Sequence, residues 1–187
     1  MGTLFVDNLK HQSSQGSGTI TIGASGEKVD LGAGVSGGSL TNTPAFFAYQ
    51  TAHGGTSLTA NTATKVILDT KLYDTDNAYS TSTGLFTVPS GKAGKYFAIA
   101  NITVKDNLTN LQPYLFRNDG TESSQHIYRG VSIYQNAGSA ASVSGTFNLD
   151  VGDTLSTYVI QAHNQEIEGV ILSRTATYFQ AFKLIGV

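Results

Sequence analysis

Most of the chain after residue 42 consists of short apolar runs separated by turn residues such as Asn118-Asp119-Gly120 and Val151-Gly152-Asp153. The runs have the length and spacing typical of strands in a sandwich or barrel. They cover residues 45–52, 64–73, 84–88, 96–105, 112–117, 126–134, 142–149, 154–162, 169–173 and 176–184. No stretch keeps a helical period over three turns, so the pattern predicts an all-β domain.

The run 96–104 is apolar on both faces in its first half. Its even positions are Tyr96, Ala98, Ala100, Ile102 and Val104, while its odd positions begin with Phe97 and Ile99 before turning polar. A strand on the outside of a monomeric sandwich is expected to have one polar face along its whole length. The run therefore predicts one face packed in the core and another against a neighbouring subunit.

The closing run repeats this two-faced pattern, with Tyr178 and Phe182 on one side and Phe179 and Ile185 on the other. Phe97, Ile99, Phe179 and Ile185 are accordingly the candidate residues for a trimer interface or the core. A loop of the same chain that covers the second face is the alternative.

Residues 1–42 show a different pattern, in which short apolar pieces are interrupted by many glycines. Such pieces cannot enclose a core, so the segment is either a flexible leader or a set of strands completed by another chain. The second alternative would cover the apolar side chains of Leu4, Phe5, Val6 and Leu9. The sequence thus predicts an anchor or stalk at 1–42 and a β domain at 43–187.

The amino-acid composition argues against several classes of function. Only 13% of the 187 residues are charged, and a net charge of −2 predicts neither a nucleic acid nor an anionic membrane as partner. No apolar run is long enough for a signal peptide or a membrane span, so no membrane insertion is expected. The absence of cysteine excludes disulfides, thiolate zinc sites and cysteine nucleophiles.

Five motifs in order carry a resemblance that covers residues 43–187. They are Ala45-Phe46-Phe47-Ala48, Thr83 to Pro89 with Gly94-Lys95-Tyr96, Leu115 to Gly120, Leu149 to Leu155, and Phe179-Gln180-Ala181-Phe182-Lys183-Leu184. This order resembles the C1q and tumour-necrosis-factor-like jelly rolls, which implies a ten-stranded sandwich that assembles as a compact homotrimer. Ala98, Ala181 and Lys183 depart from the family pattern.

The leader carries a second resemblance, through Met1 to Leu9 and Ile22-Gly23-Ala24-Ser25-Gly26. It is similar to the start of small virion structural and fibre-like proteins of marine bacteriophages, in which a C1q-like domain often follows. The resemblance implies a non-enzymatic fibre, knob or decoration protein on the virion surface, assembled in the host cytoplasm. Its partners would be other virion proteins, bound through Leu4, Phe5, Val6 and Leu9, and a host-surface glycan or protein. A free C1q-like binding module is the alternative.

Candidate chemistry is sparse. The pattern Gly34-Val35-Ser36-Gly37-Gly38 fits a hydrolase nucleophile elbow, but no strand and helix pattern surrounds it, so a linker is favoured and no enzyme is predicted. Glu166 and Glu168 offer oxygen ligands in a long connection and are the candidate Ca²⁺ ligands, with a solvated turn as the alternative. No other cofactor is expected. The tyrosines that could form a binding surface, or lie in core or interface, are Tyr73, Tyr79, Tyr128, Tyr134 and Tyr158.

Overall fold

The computed structural model describes residues 42–52, 54–105, 108–118, 126–131, 133–135, 140–171 and 174–185. Every regular element in these ranges is a β-strand, which confirms the all-β prediction. None of the described segments forms a helix with the length and hydropathy needed to cross a bilayer. Nearly all of the predicted anchor, including Leu4, Phe5, Val6 and Leu9, lies outside the described residues, as does the pattern 34–38.

The described strands are more numerous than the ten runs, and many of them are shorter. They are β1 (Ala45–Tyr49), β2 (Ser57–Leu58), β3 (Thr64–Lys65), β4 (Thr70–Asp74), β5 (Tyr79–Ser80), β6 (Leu85–Thr87), β7 (Gly94–Thr103), β8 (Leu108–Arg117), β9 (His126–Arg129), β10 (Ile133–Gln135), β11 (Ala140–Leu149), β12 (Thr154–Ile160), β13 (Gln165–Glu166), β14 (Val170–Ile171), β15 (Arg174–Thr175) and β16 (Tyr178–Lys183).

Two antiparallel sheets form the sandwich. The first sheet has the strand order β11-β7-β16-β1-β4. The second has the order β10-β8-β12-β6-β5, with β3 also paired to β12 and β9 also paired to β8. β16 is therefore the middle strand of the first sheet, held between β7 and β1.

The core lies between the sheets and is built from the inward positions of alternating strands. Along β7, the side chains of Tyr96, Ala98, Ala100 and Ile102 are fully buried. Stacked aromatic rings fill the centre of the core. The Phe46 ring stacks on Tyr79 at 4.8 Å and on Phe86 at 5.1 Å, and meets Phe179 edge-on at 5.0 Å, measured between ring centroids. Phe46 is thus the residue around which the central rings are arranged.

The predicted strand 64–73 is two strands that belong to different sheets. β3 pairs with β12 in the second sheet, whereas β4 pairs with β1 in the first. Between them Val66 and Leu68 remain fully buried. Because the inward alternation continues while the pairing partner changes, an apolar run alone gives no sign that the chain passes from one sheet to the other.

A row of small residues crosses three strands of the first sheet. Ala98 on β7 lies opposite Ala181 on β16 and opposite Gly145 on β11. A Cβ at Gly145 would come within 2.3 Å of the Tyr128 ring, which packs on Phe147 at 5.1 Å between centroids. The absence of a side chain at Gly145 therefore leaves space for the Tyr128 ring from β9.

Asp69 joins the connection before β4 to the residues that follow β1. Its carboxylate accepts hydrogen bonds from the Thr51 N–H at 3.0 Å, the Thr51 hydroxyl at 2.8 Å and the Gln50 side-chain amide at 2.8 Å. Burial raises the pKa of Asp69, but the hydrogen bonds from Thr51 and its neighbours outweigh that effect, so the pKa lies below its ordinary value. The ionised carboxylate is the form that stabilises the fold.

Asp69→Asn should lower the free energy of unfolding by about 1 kcal/mol at neutral pH, because the charge-assisted hydrogen bonds become weaker at this exposed position. The contribution of the native carboxylate is complete above the unfolded pKa of about 3.9 and is lost as pH falls through the lower folded pKa. Urea unfolding across that range measures both effects, with the exposed Asp150→Asn as control. An acid profile identical to that of the wild type would contradict the role of Asp69.

Candidate functional site

The outward face of the first sheet carries a group of large apolar side chains. We call this group the aromatic patch, and its members are Phe47, Tyr49, Tyr73, Phe97, Ile99, Tyr178 and Phe182. All are half-buried except Tyr73, which is 42% exposed. The patch therefore lies on the opposite side of the sheet from the core.

Ring contacts join side chains of the patch that belong to four different strands. Phe47 on β1 stacks on Tyr178 of β16 at 5.3 Å with an interplanar angle of 18°. Phe47 also lies 6.2 Å from Tyr73 on β4, and Phe97 of β7 lies 5.6 Å from Phe182 of β16, between ring centroids. These separations are in the range in which aromatic pairs attract each other.

Strand register places these rings side by side. Phe182 is directly opposite Phe97 on β7 and Ala45 on β1, and Tyr178 is opposite Tyr49. Residues that face each other in an antiparallel pair point to the same side of the sheet. Since Phe46, Ala48 and Phe179 point into the core, their neighbours Phe47, Tyr49 and Tyr178 must point outward.

The strand beside the patch is polar but uncharged. Ser142, Ser144 and Thr146 of β11 are exposed and lie opposite Asn101, Ile99 and Phe97 of β7. Small hydroxyl side chains of this kind allow another backbone or ring to approach without an unpaired charge being buried. The outward side of β11 therefore adds no charge beside the aromatic patch.

The predicted interface or core residues divide between the two sides of the sheet. Phe97 and Ile99 lie in the aromatic patch, whereas Phe179 is fully buried in the core. Ile185 is 43% exposed and lies beyond Lys183, where β16 ends. The sequence pattern placed Ile185 on the same side of the strand as Phe179, but this alternation holds only within the strand, and Ile185 lies outside it.

Four members of the patch are absent from the candidate site residues of the sequence. These are Phe47, Tyr49, Tyr178 and Phe182. The run Ala45-Phe46-Phe47-Ala48-Tyr49 contains the missing signal, because it places large rings on both faces just as 96–99 does. Tyr73 was expected in a binding surface, core or interface, and it lies in the patch at the edge of the sheet.

Other tyrosines considered for a binding surface have different surroundings. Tyr79 is in the core, where burial raises the pKa of its hydroxyl to about 12. Tyr128 packs against the core and donates its hydroxyl to the Thr146 carbonyl at 2.8 Å. Tyr158 lies on the second sheet with the Lys65 ammonium 5.7 Å from its ring centroid. Because Tyr79 is buried, it cannot contribute to a binding surface.

The candidate Ca²⁺ ligands lie close in sequence but in different surroundings. The Glu166 carboxylate is half exposed and lies 3.9 Å from Lys105 Nζ. Glu168 is buried, and its backbone N–H donates to the Thr103 carbonyl at 2.8 Å. Within the described ranges, no three His, Asp or Glu side chains form a group able to hold a metal ion. The calcium site stays a prediction.

Solved structures with the same arrangement of strands are known. The globular domain of zebrafish complement 1qA matches with a TM-score of 0.55 and 17% identity, over 76% of this chain and 98% of that chain. Murine APRIL matches with a TM-score of 0.55 and 17% identity, over 75% of this chain and 98% of that chain. The fold is that of the C1q and tumour necrosis factor jelly rolls.

A third C1q/TNF-like structure, the Eiger TNF of S. frugiperda, matches with a TM-score of 0.57 and 12% identity, over 76% of this chain and 93% of that chain. No protein-family model and no curated protein matches the sequence. The resemblance inferred from the five motifs is therefore confirmed at the level of the fold. In this C1q/TNF-like domain the aromatic patch is the outer face of the first sheet.

Proposed function

We propose that this protein is a non-enzymatic structural component of a bacteriophage particle, a homotrimer of C1q/TNF-like domains held outward by residues 1–42. It would stand on the virion surface as a head or tail fibre, knob or decoration protein after assembly in the host cytoplasm. Its role would be attachment to a host-surface glycan or protein, or reinforcement of the capsid. Three copies of each loop would supply avidity for repeated ligands.

The aromatic patch is the observation that supports the proposed trimer. Seven large apolar side chains lie on one outward face, and six of them make ring contacts within two groups that together span four strands. A clustered apolar face of this kind is typical of a surface that meets another protein. Burial of such a face is worth about 25 cal/mol for each Å² of apolar area removed from water. Association with further copies of the chain supplies that burial, in agreement with the trimer implied by the family resemblance.

The test of assembly is the mass of the full chain in solution, measured by light scattering or sedimentation over a range of concentrations. We expect three times the 19.7 kDa of one chain. A mass of one chain at every working concentration would end the proposal of a trimer.

The N-terminal segment 1–42 supports the proposal that the protein is located on a phage particle. Its opening residues resemble those of phage structural proteins, and Leu4, Phe5, Val6 and Leu9 supply apolar contacts or a strand for a partner protein. The partner would be another virion protein, which agrees with a chain that has no charge footprint for nucleic acid.

Deleting residues 2–12 should abolish incorporation into particles while the three-chain mass is kept, because the anchor is lost but the domain is intact. Immunoblots of purified particles measure incorporation, and deletion of the polar residues 13–18 is the matched control. Normal incorporation of the shortened chain would refute the anchor. Absence of the full chain from purified particles would favour a free C1q-like binding module.

A further inference from the structure

One polar residue, Gln180, occupies the middle of the aromatic patch. It lies on β16, the central strand of the first sheet, and faces outward with Tyr178 and Phe182 two positions away on either side. Directly across from it are Phe47 on β1 and Ile99 on β7. Four patch residues therefore surround Gln180 on all sides within the plane of the sheet.

The Gln180 side chain has no hydrogen-bond partner among the described residues. The outward polar residue on the neighbouring strand differs, because Asn101 donates to the Ala176 carbonyl at 2.6 Å and accepts from the Ser142 hydroxyl at 2.6 Å. In a single chain, water can serve the Gln180 amide. Once the patch is covered, that water is displaced and the amide needs a partner of its own.

Another glutamine amide is the group that matches this need most fully. A glutamine side chain has both a donor NH₂ and an acceptor carbonyl, so three amides around an axis can each donate to one neighbour and accept from the other. A tyrosine hydroxyl donates and accepts through a single oxygen atom, whereas the amide does so through two atoms that point in different directions. In a closed ring of three chains, only residues at the threefold axis meet their own copies. Gln180 is placed there when the central strand of the face, β16, runs beside that axis.

We propose that the Gln180 side chains of the assembled chains meet one another at the symmetry axis and fix the register in which the patches pack. This inference rests on the proposed self-association through the aromatic patch. In coiled coils, a single polar residue within the apolar interface specifies the register and number of chains, because misaligned packings leave its polar group unpaired. Gln180 is thus the specificity-determining residue of the interface, while the aromatic rings supply the affinity.

Charge variants test whether the copies meet. Gln180→Glu should place several carboxylates together, so the assembly should persist at about pH 5, where clustered carboxyls are protonated, and dissociate at about pH 8. Gln180→Lys should likewise dissociate at neutral pH. We expect a dissociation constant at least about 100-fold higher than that of the wild type for each variant alone, because like charges are buried together.

Mixing the two variants distinguishes contact between copies from contact with another residue. An equimolar mixture of Gln180→Glu and Gln180→Lys should assemble more tightly at neutral pH than either variant alone, in particles that contain both variants. A mixed trimer has two contacts between opposite charges and one between like charges, whereas a trimer of one variant has three contacts between like charges. A polyhistidine tag on one variant allows the mixed species to be captured and counted. The control pair, Thr87→Glu and Thr87→Lys, puts the same charges at an exposed position of the second sheet. Circular dichroism verifies that each variant is folded.

The outcomes separate the two proposals. A wild-type chain that stays a monomer would overturn self-association itself. A wild-type trimer with a pH-independent Gln180→Glu trimer, equal to the Thr87 controls, would overturn the role of Gln180 and leave self-association intact. Dissociation of each variant, with a mixture that assembles no more tightly than either variant alone, would also overturn it, because Gln180 would then face a different residue of the neighbouring chain.

Discussion

Replacing Phe182 with aspartate should convert the assembled protein into a folded monomer. Phe182 lies on the outward side of β16, half-buried against Phe97, so a charge there faces solvent in the single chain. In the assembly the same charge would be buried among rings without a partner, which costs several kcal/mol for each chain. The mass in solution should fall to that of one chain, 19.7 kDa, while the circular dichroism of the domain is retained.

Thr87→Asp is the matched control for this variant, because it adds the same charge at an exposed position on β6 of the second sheet. It should keep the mass of the wild type. If Phe182→Asp also kept that mass, the aromatic patch would not be the contact surface.

Phe46→Ala should be the most destabilising single truncation in the core. The Phe46 side chain is fully buried and contacts Tyr79, Phe86 and Phe179 through its ring. Its removal leaves a cavity between the sheets that rigid neighbouring rings cannot fill, at a cost of about 3–5 kcal/mol. Urea unfolding followed by circular dichroism measures the loss.

Val151→Ala, at an exposed turn position, is the control and should change the free energy of unfolding by less than about 0.5 kcal/mol. All variants need comparison at one protein concentration, since assembly makes apparent stability depend on concentration. A loss at Phe46 no larger than at Val151 would mean that the central rings do not hold the sheets together.

Periodicity in the sequence was sufficient to predict the class of fold and the two-faced nature of the first sheet. Tyr96, Ala98, Ala100 and Ile102 alternate with Phe97 and Ile99, and the structure buries the first set and turns the second outward. Alternation of this kind depends only on backbone geometry within one strand, which is why it can be interpreted without knowledge of pairing.

Features that depend on where strands pair or end were not predictable in the same way. Ile185 continues the apolar pattern beyond the point where β16 stops, and 64–73 changes sheets without a change in its pattern. Gln180 was visible in the sequence as one polar residue between Phe179 and Ala181. Its central position became evident only when β1 and β7 were placed on either side of β16.

The order of strands in the first sheet also determines when the proposed interface could form during synthesis. β16 follows every other strand of that sheet along the chain, yet it lies in the middle and joins β7 to β1. Until β16 leaves the ribosome, neither the complete sheet nor Gln180 with its surrounding rings is in place. Under the proposed self-association, a chain cut short before β16 would therefore lack the surface through which copies associate.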